Sequence, residues 1–207
     1  MTNSSHAPYW KQACRELSKA DPIMAAIIHT YKGELLKTRG NAFYTLTRSI
    51  VGQQISVKAA DSVWAKLEGT ISNITPQFVL AASDEALRAS GLSKQKIAYM
   101  RNLAEFFSTH TKPIWHTKTD DEIIKELIAI KGIGRWTIEM FLIFHLMRPD
   151  VFPIKDIGLQ KGILKHYANG KAMSLEKMEK LAIRWKPWRS VATWYLWRSL
   201  DPIPVEY

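Results

Sequence analysis

Two glycines, Gly132 and Gly134, separate two stretches of helical apolar periodicity. Ile123, Ile124, Leu127 and Ile128 lead in, and Ile138, Phe141, Leu142 and His145 lead out. So tight a turn predicts two packed helices, one ending near Ile130 and the next beginning near Arg135. Glycine permits positive φ and lets another group come close to the backbone. The N–H groups of residues 134–137 would stand at a helix N-terminus, which favours an anion. Lys131 and Arg135 add positive charge at the same spot. Lys131, Gly132, Gly134, Arg135 and Thr137 together suit a phosphate, a DNA phosphate included. Such a contact fixes position without reading sequence. An ordinary glycine-turned helical hairpin fits the same residues. A nucleotide P-loop does not, because no Gly-Lys-Ser/Thr follows.

The other chemistry-bearing residues are less specific alone. Asp156, in Val151-Phe-Pro-Ile-Lys-Asp156-Ile-Gly, reads as an N-cap for a helix over residues 157–167. The tryptophans suit core packing. His29, His110, His116, His145 and His166 show neither HxxxH nor Cys/His spacing, so no zinc or iron site is expected. His145, on an apolar helix face, reads as a core residue. A single cysteine, Cys14, excludes a disulfide framework and a four-Cys iron–sulfur cluster.

The chain has 207 residues, and 29 Lys+Arg against 19 Asp+Glu give it a net charge of +10. With 46% hydrophobic residues it can bury a core, and its basic balance is compatible with a nucleic-acid partner. No signal peptide or membrane-length apolar run is visible, which predicts a soluble intracellular protein.

The elements that must hold these residues read as helices. Asp21-Pro22 is an N-cap followed by N1, opening a helix that stops near Gly33. Phe43, Leu46 and Ile50 share one face. Ile55, Ala59, Val63 and Leu67 share the next, ended by Gly69. Ser93 opens a helix with Ile97, Met100, Ala104 and Phe107 inward, closed near Pro113. Thr119-Asp-Asp-Glu122 has the form of a capping box. Asp156, Ser174 and Pro187 open three more. No segment alternates with period two, so the fold class is all-α, with roughly ten helices.

The hairpin resembles a helix–hairpin–helix, and the Val151–Gly158 segment resembles the loop and acidic residue that follow it in the helix–hairpin–helix DNA glycosylase superfamily. Ser49-Ile-Val-Gly-Gln-Gln-Ile-Ser-Val57 and Trp185-Lys-Pro-Trp-Arg-Ser190 resemble the 3-methyladenine DNA glycosylase II branch. The four blocks run from about residue 41 to 199 in that branch's order. The resemblance implies two helical lobes. One spans 38–147, with the hairpin at about 120–146. The other joins 1–37 to 148–207 and places Asp156 at a cleft between the lobes. The long form of the family adds an N-terminal β domain, for which this chain has no room, so a more open pocket is expected.

The resemblance also implies an activity: release of alkylated purines from DNA by a monomeric enzyme with no catalytic cofactor. A monovalent cation at the hairpin loop is compatible with it. The protein would be cytoplasmic in a bacterium and nuclear in a eukaryote. Asp156 matches the catalytic carboxylate; Lys155 departs from relatives that carry a second acidic residue there. Trp136 stands where strand-cutting members carry a Schiff-base lysine, which implies a monofunctional enzyme. Trp136 and Trp197 match pocket aromatics suited to a cationic base, and Met140, one turn on, is a further candidate. Gln54, with Gln53 beside it, matches the wedge that fills the gap left by a flipped base. Arg48, Lys58, Lys94 and Lys96 are candidate phosphate contacts or plain surface charges. A non-enzymatic DNA-binding helix–hairpin–helix protein remains an alternative. A glycosylase for oxidised or mismatched bases is disfavoured by Trp136 and the missing cluster cysteines.

Overall fold

The computed structural model describes residues 6–38, 41–71, 73–109 and 115–201. Helices α1 (Trp10–Ala20) and α2 (Pro22–Thr30) come first. Seven follow: α3 (Ala42–Gly52), α4 (Val57–Thr70), α5 (Pro76–Ala81), α6 (Asp84–Ala89), α7 (Lys94–Thr109), α8 (Asp120–Leu127) and α9 (Arg135–Phe144). The chain then forms α10 (Ile157–Tyr167), α11 (Leu175–Ala182) and α12 (Arg189–Arg198). Extended pairing among the described residues is confined to one bridge between His6 and Lys37, so the all-α expectation holds. No helix among the described residues is long and apolar enough to cross a membrane.

Two compact units result, one of residues 1–40 with 142–206 and one of residues 41–141. In the first, Asp21 joins sequence-distant segments. It is buried, and Oδ1 caps α2 by accepting from the N–H groups of Ile23 and Met24. Its Oδ2 accepts from the Tyr167 hydroxyl and the Trp185 indole N–H, each at 2.9 Å. A buried carboxylate is tolerable only when its oxygens are satisfied in this way. Helices α10 and α12 approach closely because Gly162 faces Leu196. A Cβ at Gly162 would lie 3.0 Å from the Leu196 Cβ and 3.1 Å from its carbonyl oxygen.

In the second unit α3 is buried from Thr45 to Val51, beyond the one face that periodicity marks, because α4 and α7 both pack on it. This corrects the reading of Arg48. It is buried, paired with Asp61, and lies 5.5 Å from the Trp64 ring centroid, so it is neither a surface charge nor a phosphate contact. The Thr119–Glu122 capping box forms as expected.

Boundaries shift by a turn or less. Helix α4 continues through Gly69, and α12 opens at Arg189 rather than at Pro187. Helix α8 ends at Leu127, because Ile130 and Ile133 bond three residues back and tighten the chain ahead of Ile130. Phe107 is only half-buried, and Pro113 and His110 lie outside the described residues.

Candidate functional site

The hairpin between α8 and α9 is held from beneath. Gly132 has φ +103°, and a Cβ there would lie 2.1 Å from the Tyr99 Cγ. No side chain fits, so glycine is required by both backbone and space. Asn102 Nδ2 donates to the Lys131 carbonyl at 3.1 Å. Tyr99 and Asn102 both come from α7, and sequence reading missed them. They sit off the apolar stripe of that helix, and no local pattern marks them. Ile133 is buried, while Lys131, Gly134 and Arg135 face outward. The Ile138 N–H bonds to the Gly134 carbonyl, so α9 starts its hydrogen-bond ladder at Gly134. The first turn of α9 therefore supplies N–H groups that lack intrahelical acceptors, beside two exposed cations. Arg135 Nε donates to Glu139 at 3.1 Å yet its side chain stays 66% exposed.

Three expected residues of this region have other work. Thr137 is buried, backbone included, so it is not open to an anion, which corrects its place among the phosphate contacts. Its hydroxyl accepts from Gln53 Nε2 at 2.9 Å. Gln53 Nε2 also donates to the Gly132 carbonyl at 3.1 Å. An amide so engaged is not posed as a wedge, which corrects its pairing with Gln54. Met140 is 0% exposed and belongs to the core; a wall that a base could touch must be reachable by water.

Gln54 differs from its neighbour. It is exposed and left-handed, at φ +59°, in the turn between α3 and α4. Left-handed backbone is uncommon outside glycine and signals a constrained turn. Ser56 then caps α4 by accepting from the Ala59 N–H. Lys58 and Lys94 are exposed. Lys96 is not a phosphate contact. Its Nζ donates to the Val51 carbonyl at 2.6 Å, finishing α3, and burial pushes its pKa down.

Asp156 is the N-cap of α10. Its Oδ1 accepts from the Leu159 N–H at 2.6 Å and from Trp197 Nε1 at 2.8 Å. Two donors from different elements fix the plane of the carboxylate. Gly158 leaves room for this meeting. A Cβ there would lie 3.1 Å from Asp156 Oδ1 and 3.2 Å from Trp197 Cδ1. Trp197 was expected as a pocket wall. Instead it is 5% exposed and stacks on Phe144, with centroids 5.8 Å apart, so it has little surface for a base. Its contribution is the indole N–H. Trp136 is half-buried in the first turn of α9, and Lys155 is exposed beside Asp156.

Among the described residues no cluster of three His, Cys, Asp or Glu side chains could hold a metal ion. At the hairpin the carbonyls of Lys131 and Gly132 already accept amide donors. The unit of residues 41–141 thus offers an anion-directed hairpin and an outward glutamine, and the other unit a fixed carboxylate.

Comparison with known proteins places the chain in a family. The profile of the HhH-GPD superfamily base excision DNA repair proteins matches residues 47–189. DNA-3-methyladenine glycosylase 1 of Schizosaccharomyces pombe is 30% identical over 85% of this chain and 80% of its own length. A structure of the 3-methyladenine DNA glycosylase of that yeast, in complex with abasic DNA, superposes with a TM-score of 0.83 at 29% identity. It covers 95% of this chain and 100% of that one. The DNA-3-methyladenine glycosidase of Bacillus halodurans is 33% identical, with a TM-score of 0.73, over 96% of this chain and 92% of its own. Hairpin, glutamine turn and acidic loop all fall within the matched span, and the chain belongs to the HhH-GPD superfamily of base excision DNA repair proteins.

Proposed function

We propose that this chain is a monofunctional DNA glycosylase that releases alkylated purines of the 3-methyladenine and 7-methylguanine class and leaves an abasic site. The observation that carries the mechanism is the Asp156 carboxylate, fixed by Leu159 and Trp197. Methylation at N3 or N7 makes the purine cationic and weakens its N-glycosidic bond. The base leaves with the bonding electron pair, and positive charge develops on the sugar. A preorganised carboxylate stabilises that charge at no cost in reorganisation. Water then adds to the anomeric carbon and gives up a proton to the carboxylate or to solvent.

The remaining residues take supporting roles. Lys131, Gly132, Gly134 and Arg135 hold a DNA phosphate, Gln54 enters the stack, and Trp136 lies against the cationic base. Trp136 has no amine to attack the sugar, so the strand is left intact. The protein acts as a monomer, and no step calls for a metal.

The test is release of methylated bases from alkylated DNA by the wild type and by Asp156→Asn. The variant should lose about 10²–10³-fold while still binding DNA. Equal release by both overturns the mechanism. Binding without release by the wild type supports a non-enzymatic DNA-binding role. Borohydride should trap no covalent adduct, and an adduct contradicts the monofunctional reading.

A further inference from the structure

We propose that Gln53 is a positioning residue that locks the Gln54 turn to the hairpin, so that phosphate capture and wedge insertion act as one rigid device. The proposal rests on the glycosylase reading above. Gln53 and Gln54 are adjacent but face opposite ways. Gln54 is exposed. Gln53 reaches 79 residues along the chain to the Gly132 carbonyl and 84 to the Thr137 hydroxyl. The Gly132 carbonyl can only accept, so the amide NH2 must face it, and the orientation of the side chain is determined by chemistry.

The two loops are also tied through α7, and the ties close a ring. Lys96 of α7 holds the Val51 carbonyl at the end of α3. Tyr99 fills the space under Gly132, and Asn102 holds the Lys131 carbonyl. Among the described residues, the Gln53 amide joins loop to loop directly. Breaking it leaves each loop anchored to α7 but no longer to the other.

The consequence concerns base extrusion. Opening a duplex costs a few kcal/mol, and the wedge must push against the stack while the phosphates are gripped. A wedge that can shift relative to the grip loses that push, and a misplacement of about 1 Å can cost roughly 100-fold. A lesion already out of the stack needs no push. Loss of Gln53 should therefore hurt release from paired DNA far more than release from unpaired DNA. A residue that merely stabilised the fold would lower both alike.

The experiment uses the full chain and an oligonucleotide methylated with dimethyl sulfate as a duplex, kept paired or separated from its complement without heating, in single-turnover release assays. Gln53→Ala should lower the paired-to-unpaired release ratio by about tenfold or more. Gln53→Glu keeps the shape but sets a carboxylate against the Gly132 carbonyl, and it should lower the ratio as far. Thr137→Val removes one of the two acceptors, should lower the ratio partway, and serves if Gln53→Ala fails to fold. Combining Gln53→Ala with Thr137→Val should add little to Gln53→Ala alone. A ratio unchanged in all three single variants overturns the proposal, whether or not total release falls. No release by the wild type from either DNA overturns the glycosylase reading, and this proposal with it.

Discussion

Asp156 does two things with one carboxylate. As N-cap it accepts the Leu159 N–H, and as the proposed stabiliser of a cationic sugar it must keep a fixed direction. The indole N–H of Trp197 supplies the second restraint. Hydrogen bonds to an ionised group contribute about 1.5–3 kcal/mol, and losing the Trp197 donor should loosen the carboxylate. Trp197→Phe preserves a ring that can stack on Phe144 but removes the donor. We expect single-turnover release to fall about tenfold or more, with DNA affinity little changed. Unaltered release would mean that the indole is only packing. The sequence made Asp156 legible because a cap and its helix are local. It did not show the donor, which lies 41 residues further on, and an aromatic in an apolar helix looks the same whether it packs, stacks or donates.

At the scale of elements, the hairpin glycines separate into two cases that the sequence presents as one signal. Gly132 is required from within, by its positive φ and by the Tyr99 ring. Gly134 has nothing within 4 Å of a Cβ built on it. Nothing among the described residues requires glycine there, which suits a position where a ligand approaches the backbone. Gly132→Ala should destabilise the protein by at least about 1–3 kcal/mol, read as a lower thermal midpoint. Gly134→Ala should keep the wild-type midpoint and bind duplex DNA more weakly. If the second variant binds as well as wild type, the phosphate does not approach at Gly134. The turn between α3 and α4 teaches the same lesson. Local pattern marked the Gln53-Gln54 pair as a junction, but only packing against the hairpin decides which glutamine faces in.

For the whole molecule, the all-α class and most helix starts were legible because caps are local chemistry: Asp21, Thr119, Asp156 and Ser174 each cap as the sequence predicts. Burial of Arg48 was not legible, since it depends on two helices covering α3 at once. The two units should also differ in their response to acid. In the first unit, burial lowers the His166 pKa, with Lys165 beside it adding to the effect. The unfolded chain then takes up a proton near pH 6.5 that the folded chain still refuses. Stability is therefore full above about pH 6.5 and falls as pH drops toward the folded pKa. In the second unit, bonds from the Thr119 backbone and side chain lower the Glu122 pKa. That contribution persists to about pH 4.3 and is lost only below it. Between pH 7.5 and 5.5, backbone amides of α10 should lose hydrogen-exchange protection while those of α8 keep theirs, after correction for intrinsic rates. His166→Gln should flatten the α10 response. If that variant loses protection with pH as the wild type does, another group in the first unit carries the acid sensitivity.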